Sequence, residues 1–402
     1  MSHSQNKPTP SWNEILNHLG EDRASYDFSI SPPISQTSNF MFTSIEDLRH
    51  KLIHEQHEHV YTRGNNPTVE ILRKKIAALE KAEDALITSS GAAAVAIAMI
   101  PFLAQGDHMI CVQKPYTWTF QLIDGLLRKW GIECDFVDGT YPENIKKAKK
   151  ANTKLLFLES PNSLTFELQD LETIGQWAKS EGILTIIDNS YASPLFQNPI
   201  EYGIDLVVHS GTKYLNGHSD VVCGMVCGSA DNISKIFRSP FMTLGCNLSP
   251  HDAWLIIRGL RTLPLRMQRS HDTAIQIVDT LSRHPGVRRI IYPHHVSHLQ
   301  YGLALKQMKG CGGLFTLELE VNTKDEVRDF VHALQRFLIA VSWGGHESLV
   351  FPVLGLYDRP GLPDPVLPWN MIRFYVGLES YDYLMEDLHK AFRAIGLQDE
   401  VR

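Results

Sequence analysis

Five short apolar runs most constrain what this chain can fold into. They cover residues 85–88, 109–112, 155–158, 184–187 and 206–208. Amphipathic helical patterns, such as those over 120–130 and 171–181, separate most of them. Apolar strands alternating with helices predict a mostly parallel sheet covered on both faces. A further strand is expected over 221–227, with Cys223 and Cys227 as packing residues. Before the first strand, Val69, Leu72, Ile76 and Leu79 mark an amphipathic helix over 69–82.

Ligands of such sheets bind beyond the carboxyl ends of the strands. The residues that follow each run are therefore the place to look for chemistry. The first run leads into Ser89-Ser90-Gly91-Ala92 and a small-residue helix, a pattern suited to cradling phosphate. The second leads to Lys114-Pro115-Tyr116, and the third to Glu159-Ser160-Pro161-Asn162-Ser163. The fourth ends at Asp188-Asn189-Ser190 and the fifth at Ser210-Gly211-Thr212-Lys213. Singly each has a plain structural reading. Tyr116 could be a core aromatic, Asp188 a turn residue, Gly91 a turn and Lys213 a solvated lysine. Together they bring a phosphate cradle, an aromatic face, a carboxylate and an amine to one sheet edge. No GxGxxG or GxxxxGK[ST] pattern is present. The set matches the needs of pyridoxal phosphate: a lysine to carry the aldehyde and a carboxylate to keep the pyridine nitrogen protonated.

The remainder of the chain sets the frame. Residues 1–60 read as an N-terminal arm, punctuated by Pro8, Pro10, Pro32 and Pro33, with a short helix over 44–57. Residues 61–258 form the large domain, and 259–402 a smaller α+β domain. In the latter a long helix runs through Leu281, strands are expected at 313–319 and 371–375, and helices at 324–337 and 381–395. The lysines over 146–150 read as a solvated helix face. The formal charge of −7 gives no electrostatic reason to expect nucleic acid or an acidic membrane as partner. Six scattered cysteines without a CxxC pair suit a reducing compartment, and a polar N-terminus suits the cytoplasm. His54, His57 and His59 do not match the HExxH spacing, so no metal site is expected.

At this point whole motifs come into view. Ser210-Gly211-Thr212-Lys213-Tyr214 followed by Gly217-His218-Ser219-Asp220 looks like a family lysine signature. Tyr61-Thr62-Arg63-Gly64-Asn65-Asn66-Pro67-Thr68 looks like its Y-x-R-x-x-N-P-T element. With Glu159-Ser160-Pro161, Asp188-Asn189-Ser190 and Arg373 ahead of Gly377-Leu378-Glu379, the chain resembles the Cys/Met-metabolism family of pyridoxal-phosphate enzymes, the transsulfuration group, from about residue 30 onward. The resemblance implies an α/β fold of the aspartate-aminotransferase type (fold type I). It implies that Lys213 is the Schiff-base lysine and proton shuttle, that Asp188 pairs with the pyridine nitrogen, and that Tyr116 stacks on the ring as part of the catalytic set. Gly91, Ala92, Ser210 and Thr212 would hold the phosphate. Tyr61 and Arg63 would reach the phosphate of a neighbouring subunit in a homo-oligomer, a dimer of active pairs of the tetrameric kind. Arg373 would clamp the carboxylate of a small amino-acid substrate.

Within the family the details resemble the cystathionine β-lyase branch. Gly91-Ala92-Ala93-Ala94-Val95-Ala96, Ser163, and Ser342-Trp343-Gly344-Gly345-His346 carry that likeness and place Ser163, Ser342 and Trp343 at the substrate. Thr117-Trp118 after Tyr116 departs from the family's frequent Gly-Gly, and Val341 is smaller than the aromatic expected of the β-lyase branch. The expected reaction is β-elimination from cystathionine or a related cysteine S-conjugate to a thiol, pyruvate and ammonia. The alternatives are γ-elimination or γ-replacement on the same cofactor, a cofactor-binding protein without turnover, and a binding module without cofactor.

Overall fold

The structure, a computed structural model, describes residues 10–397; Pro8 of the expected arm lies outside them. Seven strands build the first sheet: β1 (Asp84–Thr88), β2 (His108–Val112), β3 (Glu133–Val137), β4 (Thr153–Glu159), β5 (Leu184–Asp188), β6 (Leu206–Ser210) and β7 (Gly224–Gly228). Their order is β1-β7-β6-β5-β4-β2-β3. Neighbours from β6 through β3 are parallel, while β7 runs antiparallel to both β6 and β1. The five expected strands therefore all point one way, and their carboxyl ends share one edge. This is the fold type I α/β arrangement.

Side chains alternate between the two faces of this sheet. Leu86, Met109, Cys111, Leu155, Phe157, Ile186, Leu206 and Val208 pack in one core with the helix Gly91–Met99. Ile87, Ile110, Leu156, Leu158, Ile187 and Val207 pack in another with the helix Pro67–Glu80, and this core continues into the second sheet. Asn66 caps the latter helix, its side chain accepting the Thr68 N–H at 3.0 Å, with Pro67 at the first position where no N–H is needed.

The second sheet holds β8 (Val287–Ile291), β9 (Leu314–Leu319), β10 (Leu338–Ile339), β11 (Leu349–Pro352) and β12 (Met371–Tyr375), ordered β10-β11-β12-β9-β8. The helices Leu263–Leu281, Lys324–Ala333 and Tyr381–Ala394 accompany it.

Several expectations change. The strand expected over 221–227 begins only at Gly224, because the Cys223 backbone bonds Thr212 instead of a neighbouring ladder: its N–H donates to Thr212 Oγ1 at 3.0 Å. Cys223 stays buried, just ahead of the strand. The helix expected over 120–130 starts at Thr117 and passes through a π-helical stretch, Gln121–Leu127, before a 3₁₀ turn at Arg128–Trp130. The helix expected over 44–57 stops at Ile53. The lysine run is only partly helical. The helix ends at Lys147, and Lys149 and Lys150 instead pair with Glu181 and Asp135.

Candidate active site

The edge expected to carry chemistry does bring its residues together. On the face packed by the helix Gly91–Met99, the apolar rows of β4, β5 and β6 end in Glu159, Asp188 and Ser210. Glu159 and Asp188 are register partners on adjacent parallel strands. Asp188 Oδ1 accepts the Ser190 N–H at 2.9 Å, and Ser190 Oγ accepts the Ser210 N–H at 2.6 Å, which ties the ends of β5 and β6. Asp188 Oδ2 takes no hydrogen bond among the described residues.

Beyond β6 the chain turns tightly. The Lys213 N–H donates to Ser210 O at 3.1 Å, and the Asn216 N–H to Gly211 O at 2.9 Å. Thr212 is fastened to the Cys223 backbone, its hydroxyl donating to Cys223 O at 3.2 Å. Lys213 thus stands on a braced turn. Its Nζ donates to Ser342 Oγ at 2.6 Å and lies 5.5 Å from the Trp343 ring centroid. Burial, then the neighbouring Arg373 charge, holds the Lys213 amine down to about 8, with Asp188 opposing. An amine so depressed is about one-tenth neutral at pH 7, far more than an ordinary lysine.

Ser342 arrives from the second sheet through an unusual backbone. It has φ +75°, and Gly344 has φ +91°. A Cβ at Gly344 would come within 2.8 Å of both Lys213 C and Tyr214 N, so only glycine lets this loop lie against the lysine turn. Trp343 is buried, edge-on to Tyr214 at 5.3 Å. Arg373, on β12, donates from Nη1 to Ser163 O at 3.0 Å and from Nη2 to Ser342 O at 3.2 Å. Burial pushes its guanidinium down to about 10, so it stays charged. Ser163, Ser342, Trp343 and Arg373 therefore meet Lys213 at one place.

The start of the helix Gly91–Met99 packs against Ser210. A Cβ at Gly91 would fall 2.9 Å from Ser210 Cβ. Ser90 caps this helix through the Ala93 N–H at 3.1 Å, which leaves the Gly91 and Ala92 N–H groups available to an anion. Tyr116 is 46% exposed, enough to offer its ring face, while its own N–H donates to Glu159 Oε2 at 2.7 Å. Burial, then the charges of Asp188 and Glu159, raise its phenol.

Tyr61 and Arg63 stand apart. Both are exposed, and the Arg63 guanidinium lies 5.6 Å from the Tyr61 ring centroid. Among the described residues neither hydrogen-bonds any member of the cradle.

The Cys/Met metabolism PLP-dependent enzyme family matches residues 15–393. The chain belongs to this family. It is similar to L-methionine gamma-lyase of Fusobacterium nucleatum subsp. nucleatum, 35% identical over 94% of this chain and 97% of that one. Cystathionine beta-lyase of Lactococcus lactis subsp. cremoris is also 35% identical, over 90% of this chain and 94% of that one. Among solved structures, metB from Corynebacterium glutamicum superposes with a TM-score of 0.89 at 31% identity, covering 96% of this chain and 98% of that one. The protein is thus a pyridoxal-phosphate enzyme of the carbon–sulfur lyase and transsulfuration group. The site's chemistry fits that cofactor, with an amine of depressed basicity, a strand-end carboxylate, an exposed aromatic face and a glycine-opened helix start.

Two contacts leave little trace in the sequence. Glu159 is buried and contacts Tyr116 across 43 positions of sequence; its place at a strand end was the available signal. The close approach of Gly344 to Lys213 had no local signal at all.

Proposed function

We propose that the protein is a carbon–sulfur β-lyase that cleaves cystathionine, or a related cysteine S-conjugate, to a thiol, pyruvate and ammonia. The observation that carries this reading is the Lys213 amine, braced by Ser342 Oγ at 2.6 Å and flanked by the half-buried Arg373. When bound, the cofactor supplies an electron sink for the pair left by the departing α-proton. Asp188 would hold the ring nitrogen's proton, Tyr116 would cover the ring, and Gly91, Ala92, Ser210 and Thr212 would hold the phosphate. Arg373 binds the substrate carboxylate as a two-pronged fork, exchanging its carbonyl partners for the ligand. That clamp sets the α-hydrogen toward Lys213 Nζ, which takes it as a base. The thiolate leaves from the β-carbon, and water converts the three-carbon remainder to pyruvate and ammonia. Trp343, buried beside Lys213, walls the site against water.

The active unit is a homo-oligomer in which Tyr61 and Arg63 serve a neighbouring subunit's phosphate, in keeping with their exposure. The large and small folding units divide near residue 258, and the protein works in the cytoplasm. Similarity to a named methionine gamma-lyase keeps γ-elimination as the second reading. Purified protein given cystathionine separates the two. Pyruvate with homocysteine supports β-elimination; 2-oxobutyrate with cysteine overturns it in favour of the γ-reaction.

A further inference from the structure

Glu159 has a place that none of the roles above explains. It is 5% exposed, at the carboxyl end of β4, in register with Asp188. Its Oε2 accepts the Tyr116 N–H at 2.7 Å, and the Ser163 N–H also stabilises its charged form. Ser163 in turn gives its carbonyl to Arg373 at 3.0 Å. One side chain thus adjoins the ring-covering tyrosine, the ring-nitrogen carboxylate and the loop that holds the carboxylate clamp.

We propose that Glu159 is a positioning residue, whose buried carboxyl fixes Tyr116, Asp188 and Ser163 relative to one another. The inference rests on the assignment of Lys213, Asp188 and Tyr116 to the cofactor. Two carboxylates side by side on adjacent strands, one of them buried, do not both ionise readily. Burial first, then the Asp188 charge, raises Glu159's carboxyl. The groups that face it are Asp188 from β5, Cys111 from β2, Tyr116, and Glu167, which is itself paired with Lys114 at 2.6 Å. No cation neutralises Glu159 directly among the described residues.

The test titrates apo-protein with pyridoxal phosphate and follows the visible band, for the wild type and for Glu159→Gln, Glu159→Asp and Glu159→Ala. Glu159→Gln keeps a neutral acceptor at the same reach and is expected to bind within about threefold of wild type, whereas Asp and Ala withdraw it from Tyr116 and weaken binding about tenfold or more, the scale of one buried hydrogen bond. The alkaline pH titration of the band is expected to carry a step from Glu159 in the wild type and to lose that step in Glu159→Gln. If Glu159→Ala fails to fold, Gln against Asp carries the same contrast. Equal affinities in wild type, Asp and Ala, or equal losses in all three variants with an unchanged pH titration, overturn the proposal. A wild type that develops no band overturns the assignment of Lys213, and this inference with it.

Discussion

The two faces of the seven-stranded sheet end in opposite kinds of polar chemistry. On one face the strands finish in Glu159, Asp188 and Ser210, beside Lys213, with charges only partly paired and an aromatic ring left exposed. On the other, the adjoining positions are Ser160, Asn189 and His209, and they are buried. Glu80, at the end of the helix Pro67–Glu80, accepts from Asn189 Nδ2 at 2.9 Å and lies 2.5 Å from His209 Nε2. Gln197 continues the chain, its Nε2 donating to Asn189 Oδ1 at 2.9 Å and to Ser160 O at 2.8 Å. Glu80, Asn189 and His209 are at most 1% exposed. Alternation along each strand places both sets within one residue of each other. The buried network ties the strand ends together, and the open face presents the groups that a ligand can reach.

This contrast separates changes that cost activity from changes that cost stability. The largest effect belongs to the open face. Lys213→Ala is expected to lower turnover by at least about 10²–10⁴-fold, the share of a positioned general base, while the unfolding midpoint changes little. A steady-state assay beside a denaturant melt reads both. In the wild type the Lys213 amine must be neutral to accept a proton, so the rate with saturating substrate should climb as pH rises through about 8. Gly344→Ala comes next. Its Cβ would collide with the Lys213 and Tyr214 backbone, displacing the Ser342 loop, and a misplacement of this kind is expected to cost about 10²-fold in kcat. Normal kcat would mean that the loop does not brace the lysine.

Glu80→Ala sharpens the other side. It strands His209 and Asn189 in the interior and is expected to destabilise by about 3–5 kcal/mol, with most activity kept in the folded fraction. Loss of activity without loss of stability would erase the distinction between the faces. The smallest effect lies further back, at His294. Burial, then the His271 charge, pushes its imidazole down to about 4 from 6.5. Its folded value is depressed, so the unfolded chain binds the extra proton between those limits. Its contribution to stability is therefore complete above about pH 6.5 and shrinks as pH falls toward 4. His294→Asn should flatten that acid slope in a melt series.

Much of this was legible in the chain itself, for identifiable reasons. The central strands could be read because they are buried on both faces and therefore apolar throughout, and their ends then pointed to Asp188, Ser210 and Lys213. The edge strand β3 was missed because Glu133, Cys134 and Asp135 leave no apolar run; it is half-exposed along its length. In β8, Arg288 and Arg289 hide the strand in the same way. Register across strands brings Glu159 to Asp188, and a positive φ brings Gly344 to Lys213; neither leaves a mark in local composition. Tyr61 and Arg63 were reachable only through the family motif, since their expected partner lies on another chain.

The central claim is that the open edge carries the cofactor on Lys213. Borohydride reduction of the purified, cofactor-loaded protein, followed by digestion and mass mapping, tests it most directly. A single stable pyridoxyl adduct on the peptide containing Lys213 is the predicted result. An adduct on another lysine, or none on a loaded yellow protein, would contradict it.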